Sequence, residues 1–291
     1  MTESTTTRTP PSTKNTKSPT IGVFDSGFGG LTVLRALLPL IPGAHYIYLG
    51  DTARLPYGSK SRETIARYAV SSAKFLHEQG ADLLVIACNT ATALALEDIQ
   101  QALPIPVIGV VQPGAHAALA ASTQPTVESP HHVLVLATAA TVQSHAYTHA
   151  LNALGLEACE KACPLLVPLV EEGWTNHPVT DDVLKIYLTE ALASAPATQT
   201  LLLGCTHYPL IEQAIHRTLA SINHPLTIID SAASTARATA ALVAEHFPTL
   251  AATGHPTCTF YATDSIEKFQ RLGSNFLGQA VAEVNLIDLG G

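Results

Sequence analysis

No stretch of this 291-residue chain is apolar for the roughly 18–20 residues of a membrane span; its longest apolar runs are broken by Gly, Pro or polar residues. A soluble chain is therefore expected, with no membrane partner. Lys and Arg number only 15 against 23 Asp and Glu, the formal charge is −8, and no basic run is present. Phosphate contacts need clustered cations, so no nucleic-acid partner is expected. Several reaction signatures are missing as well. The dinucleotide fingerprint would need glycine at Thr32, and no Gly-Lys-Ser/Thr sequence marks a P-loop. There is no C-x-x-C or H-E-x-x-H for zinc and no G-x-S-x-G nucleophile elbow. The five cysteines are an odd number in a large chain, which argues against a disulfide framework and for a reducing cytoplasm. The first twenty residues are rich in Ser, Thr and Pro and have no apolar h-region, so a disordered tail is expected over 1–20 rather than a secretory signal. Their one Arg and the lack of an amphipathic pattern argue against a transit peptide.

What the chain does have is apolar material, 47% of its residues, enough for two α/β domains or one large one. Four times a short apolar run ends in small polar residues and then takes on a helical period: IGVFDSGFGGLTVLRALL, ADLLVIACNTATALALEDIQ, HHVLVLATAATVQSHAYTHAL and TLLLGCTHYPLIEQAIHRTL. Each reads as strand, loop and helix start, the unit of a parallel sheet flanked by helices, where ligands gather beyond the carboxyl ends of the strands. Cys88 and Cys205 occupy matching places in two of these units. Asp25 precedes Thr138 by 113 residues and Cys88 precedes Cys205 by 117, so two similar halves are expected. The expected fold is α/β, with two similar domains, each a mainly parallel sheet flanked by helices. The first domain is placed at 21–113 plus 226–291 and the second at 114–225, with LTIIDSA at 226–232 and TCTFYATD at 257–264 as further strands.

A thiol at a strand end facing a helix N-terminus sits where thiolates are stabilised. Free cysteine is also a common core filler, but a filler has no need of Asn89, Thr90, Thr206 and His207 as neighbours. Cys205 with His207 could serve a cysteine hydrolase, which would leave Cys88 unexplained. The loop Asp25-Ser26-Gly27-Phe28-Gly29-Gly30 suits either a helix cap or a substrate carboxylate. Glu171 and Glu172 read as solvated carboxylates or as groups that tune proton transfer. Cys159 with Cys163, and His145 with His149, are spaced to share helix faces, but in neither context is a metal expected.

Five blocks carry a resemblance: IGVFDSGFGGLTVL at 21–34, GDTARLPYGSKS at 50–61, VIACNTATA at 85–93, CPLLVPLVEEG at 163–173 and LLLGCTHYPLI at 201–211. Through them the chain resembles the glutamate racemases, cofactor-independent amino-acid racemases, over nearly everything from 21 to about 275. The resemblance implies an active site in an interdomain cleft, chemistry without metal or pyridoxal phosphate, and glutamate as substrate, with D-glutamate destined for peptidoglycan. It implies that Cys88 and Cys205 exchange protons with opposite faces of one α-carbon, Cys88 on the D and Cys205 on the L enantiomer. Asp25, Glu171 and His207 match positions thought to assist proton movement. Substrate contacts carry over onto Asp25, Ser26, Tyr57, Gly58, Asn89, Thr90, Thr138, Thr141, Thr206 and His207, and a homodimer is expected. The third loop, LATAATVQS, departs from the family by lacking glycines around its threonines, which denies the close backbone approach that Gly allows. The rival readings are an aspartate racemase, which could use the same loops for a shorter carboxylate, and a non-catalytic binding protein, such as the topoisomerase inhibitors described within the family, which would not need both thiols.

Overall fold

The computed structural model describes residues 18–122, 131–248 and 254–290; the tail expected over 1–20 lies, through residue 17, outside them. The chain alternates strands and helices. It runs β1 (Thr20–Asp25), α1 (Leu31–Leu37), β2 (His45–Gly50), α2 (Arg62–Glu78), β3 (Leu83–Ile86), α3 (Asn89–Ala102), β4 (Val107–Gly109) and α4 (Val111–Ala121). There follow β5 (His132–Ala137), α5 (Ala139–Ser144), α6 (Ala146–Asn152), β6 (Glu157–Ala162), α7 (Leu166–Glu171), α8 (Pro178–Ser194), β7 (Thr198–Gly204) and α9 (Glu212–Ser221). The described chain closes with β8 (Thr227–Asp230), α10 (Ser231–His246), β9 (Thr257–Ala262), α11 (Ile266–Leu277) and β10 (Asn285–Leu286). Among the described residues no helix is long and apolar enough to cross a membrane.

Two parallel sheets result, one ordered β10-β9-β2-β1-β3-β4 and the other β6-β5-β7-β8. The central strands are apolar on both faces, as a strand covered by helices on both sides must be: β1 and β3 are buried along their whole length. The run β2-β1-β3-β4 in one sheet has the same order as β6-β5-β7-β8 in the other, so the expected similarity of the halves holds at the level of topology. In both sheets the winding reverses beside the first strand, between β1 and β3 and between β5 and β7, which opens a crevice at their carboxyl ends. Cys88 follows β3 and Cys205 follows β7, so each thiol sits at the rim of such a crevice.

The lobe boundary differs from the sequence expectation. The strand in LTIIDSA pairs with β7, from Thr200↔Thr227 to Leu203↔Asp230, and belongs to the second sheet, not the first. A crossover as short as α9 reaches only the neighbouring strand position, which fixes β8 beside β7. The return to the first lobe comes one element later, in α10, whose Ala232, Ala236 and Val243 share a core with Leu31, Leu34 and Leu37 of α1. Conversely α4 follows the first sheet but packs on the second, with Val111, Ala115 and Ala118 against Val133, Val135, Tyr147 and Leu202. Thus α10, which follows β8 of the second sheet, packs on the first lobe, and α4, which follows β4 of the first sheet, packs on the second. Cys159 lies in β6 and Cys163 just after it, so these two do not share a helix face; His145 caps α6 in the left-handed region, with φ 55°.

Candidate active site

Both thiols line one cavity of ≈ 580 Å³ between the lobes, together with Ser26, Tyr57, Gly58, Asn89, Thr90 and Thr138, and with Glu171, Thr206 and His207. Cys88 is the N-cap of α3: its Sγ accepts from the Ala91 amide at 3.4 Å and lies 3.4 Å from Ser26 Oγ. These contacts and the helix N-terminus favour a thiolate, but burial, reinforced by the Asp25 charge, outweighs them and pushes the thiol up to about 12. Asp25 itself is buried, its Oδ2 accepting from the Gly27 amide at 2.9 Å, while Oδ1 has no partner among the described residues. Burial pushes its carboxyl above the ordinary value, against the His207 charge and the Gly27 and Gly30 amides.

On the opposite wall Cys205 Sγ lies 3.9 Å from His207 Nδ1, and His207 Nε2 lies 3.3 Å from Glu171 Oε1. Burial works against a charged His207, but its hydrogen bonds to Cys205 and Glu171 outweigh that penalty and push its pKa up to about 10. Burial would raise Glu171 too, yet His207 and Lys268 together hold it below the ordinary carboxylate value. A proton bound with a pKa of about 10 in the folded chain and 6.5 in the unfolded one stabilises the fold fully below pH 6.5, and that contribution is lost as pH rises through 10. The stability lead of the parent over His207→Gln, measured by urea unfolding, should therefore be largest below pH 6.5 and shrink steadily towards pH 10. A lead that is flat across this interval would contradict the assignment.

The lobes meet on two sides of the cavity. Thr90 Oγ1 of α3 lies 2.9 Å from Thr138 Oγ1 and 3.1 Å from Thr141 Oγ1, and those two lie 3.0 Å apart, a triangle of hydroxyls spanning the cleft. Beside it Asn89 Nδ2 donates to Tyr147 Oη at 2.7 Å, leaving the buried Asn89 Oδ1 unpartnered among the described residues. On the other side Thr32 Oγ1 donates to the Thr206 carbonyl at 3.2 Å, and Gly29 sits so close that a Cβ there would overlap Thr206 Oγ1 and the His207 ring. The requirement for glycine at 29 is thus one of close approach between lobes.

Three of the expected substrate contacts are placed differently from the rest. Asp25 and Thr141 do not line the cavity: Asp25 is the last, fully enclosed residue of β1, and Thr141 lies in the first turn of α5 behind Thr138. The Tyr57 hydroxyl donates to the buried Asp51 carboxylate, so Tyr57 meets the cavity without a free hydroxyl. Other groups were not singled out from the sequence. Asp51 also accepts from Arg54 Nε at 2.7 and 2.9 Å, an i,i+3 pair readable inside GDTARLPYGSKS. Lys268 lines the cavity and reaches Glu171 from α11, and Tyr147 orients Asn89; neither has a local sequence signal. A third thiol, Cys163, lines the cavity as well, and burial pushes it up to about 12. Among the described residues no three His, Cys, Asp or Glu side chains converge to hold a metal ion.

The Asp/Glu/Hydantoin racemase family matches residues 21–239. The chain is 50% identical to the glutamate racemase of Koribacter versatilis (strain Ellin345), over 94% of this chain and 98% of that protein. The fold superposes on the glutamate racemase of Francisella tularensis subsp. tularensis SCHU S4 in complex with D-glutamate with a TM-score of 0.83, at 36% identity, covering 94% of this chain and 99% of that one. The Thermus thermophilus glutamate racemase in complex with beta-chloro-D-alanine gives a TM-score of 0.81 at 40% identity, covering 95% and 99% of the two chains. Two sheets of one topology, a thiol at the same strand end of each, and these similarities together place the chain in the Asp/Glu/Hydantoin racemase family, among its glutamate racemases.

Proposed function

We propose that the protein interconverts L- and D-glutamate by two-base proton transfer, with Cys88 and Cys205 as the acid/base pair and no cofactor. One observation carries this reading: the two thiols end equivalent strands of the two sheets and line a single cavity from opposite lobes. In the L-to-D direction Cys205, as thiolate, takes the α-proton, and the Cys88 thiol gives its proton to the other face of the planar carbanion. The reverse direction exchanges the roles. The surroundings suit this division, since Cys88 is a thiol that holds its proton firmly and Cys205 faces a protonated His207.

A free α-proton is far less acidic than any thiol, so the barrier must fall through donors placed where the negative charge develops. The N-termini of α3 and α5, with the hydroxyls of Thr90 and Thr138, present such donors to the substrate carboxylate. Asn89, which lines the cavity and whose Oδ1 has no partner among the described residues, suits the ammonium group. Ser26, Thr206 and the Tyr57–Gly58 main chain complete the walls, and Asp25 and Glu171 support the two thiols from behind. The first lobe is read as 21–110 plus 231–290 and the second as 111–230. A homodimer in the cytoplasm, where five free cysteines stay reduced, supplying D-glutamate for peptidoglycan, completes the reading.

Circular dichroism of each glutamate enantiomer with the purified chain and no added cofactor tests it. Both signals should decay to zero at rates set by the enzyme concentration. A persistent L-glutamate signal would sink the proposal, and faster decay of aspartate than of glutamate would move the substrate to the shorter acid.

A further inference from the structure

Glu171 is held from two sides. Its Oε1 faces His207 Nε2 at 3.3 Å within its own lobe, and its Oε2 faces Lys268 Nζ at 3.3 Å, from α11 of the other lobe. The Lys268 ammonium stands 5.3 Å from the centroid of the Phe28 ring, which follows β1, and Phe276, two turns further along α11, meets the His207 ring edge-on at 5.0 Å. One helix of the first lobe therefore touches both the imidazole that faces Cys205 and the carboxylate behind that imidazole. Glu171 is the last residue of α7 and its side chain is 20% exposed, so a single bond to His207 would leave its carboxylate free to turn towards water.

We propose that Lys268 is a positioning residue for the Cys205 half-reaction, an inference that rests on the two-thiol reading above. By pinning one oxygen of Glu171 across the cleft, it turns the other onto His207 and fixes the ring that faces Cys205. Lys268 is 46% exposed, so as a contributor to stability the pair is worth little. Its effect belongs in the kinetics of one proton transfer and not in the melting temperature.

The test compares the full-length parent with Lys268→Met and Lys268→Arg, using glutamate deuterated at the α-carbon. Deuterium leaves L-glutamate in the Cys205 step and D-glutamate in the Cys88 step. If only the Cys205 step is slowed, it becomes more rate-limiting in both directions. The isotope effect on kcat/KM should then rise for deuterated L-glutamate and fall for deuterated D-glutamate. In Lys268→Met, kcat/KM itself should drop about fivefold, the ceiling for a partly exposed ion pair, with an unchanged melting temperature. Lys268→Arg should restore both readouts. Isotope effects that stay at the parent values or move together, or failure of arginine to restore them, would overturn the assignment of Lys268 alone. A parent chain that leaves both glutamate enantiomers unchanged would overturn the reaction, and this role with it.

Discussion

Replacing either Cys88 or Cys205 with serine should lower kcat/KM by about 10³-fold or more, since a positioned proton donor or acceptor contributes roughly 10²–10⁴-fold and an alcohol holds its proton far more tightly than a thiol. The loss should be the same in both directions. Two enantiomers have equal free energy in water, so the equilibrium constant is unity and the ratio of the two kcat/KM values is bound to it in any variant. Folding does not explain the loss at Cys88, because serine is a preferred N-cap and would serve α3 at least as well as the thiol that now accepts from Ala91. Initial rates from each enantiomer, with calorimetric titration of D-glutamate to show that the cavity still binds, give the result. Either variant racemising within tenfold of the parent would refute the two-base scheme.

Asp51→Ala should cost about 3–5 kcal/mol of folding free energy, the usual consequence of removing one partner from a buried charge pair. Asp51 is fully buried and accepts from Arg54 Nε, the Tyr57 hydroxyl and, at 2.9 Å, Thr263 Oγ1. Alanine would leave the Arg54 guanidinium, 10% exposed over the Tyr68 ring, without its carboxylate, and the Tyr57 hydroxyl without its acceptor. Activity should fall with stability, because Tyr57 and Gly58 form the cavity wall against Thr138. Asp51→Asn keeps an acceptor for Tyr57 and should cost less. A urea midpoint for Asp51→Ala that reports a loss under about 1 kcal/mol would show that the network is not a keystone of this wall.

The strand-end thiols are legible in the sequence because everything that places them is local: an apolar run, a polar cluster and a helical period in succession. The same holds for β1, β5 and the Gly-rich loop after Asp25. Legibility fails where position depends on what the chain meets later. Thr227–Asp230 reads as a strand, but its sheet is decided by the reach of α9. The strand β6, EACEKA, has no apolar run because it is an edge, half-exposed along most of its length, and its polar residues hide it. Depth is equally silent: nothing near Asp25 or Thr141 says that each stands behind the cavity wall. Glu171 sits in a segment whose spacing suggests a solvated carboxylate, and its link to His207 comes from the docking of α7 beside the turn after β7. Lys268 lies on the last long helix, brought to the cleft only when that helix returns to the first lobe.

The crossing of α4 and α10 says something about how such a chain could arise. Neither repeat, 20–121 ending in α4 or 132–246 ending in α10, covers its own apolar face: the first lacks α10 over α1, and the second lacks α4 over β7. A single ancestral unit of this kind could have been stable only by lending its final helix to a twin and borrowing one in return. The present molecule is that exchange made permanent in one polypeptide, a domain-swapped pair whose partners are joined end to end. The two halves therefore cannot drift apart in sequence independently, since the core of each is completed by residues that the other encodes.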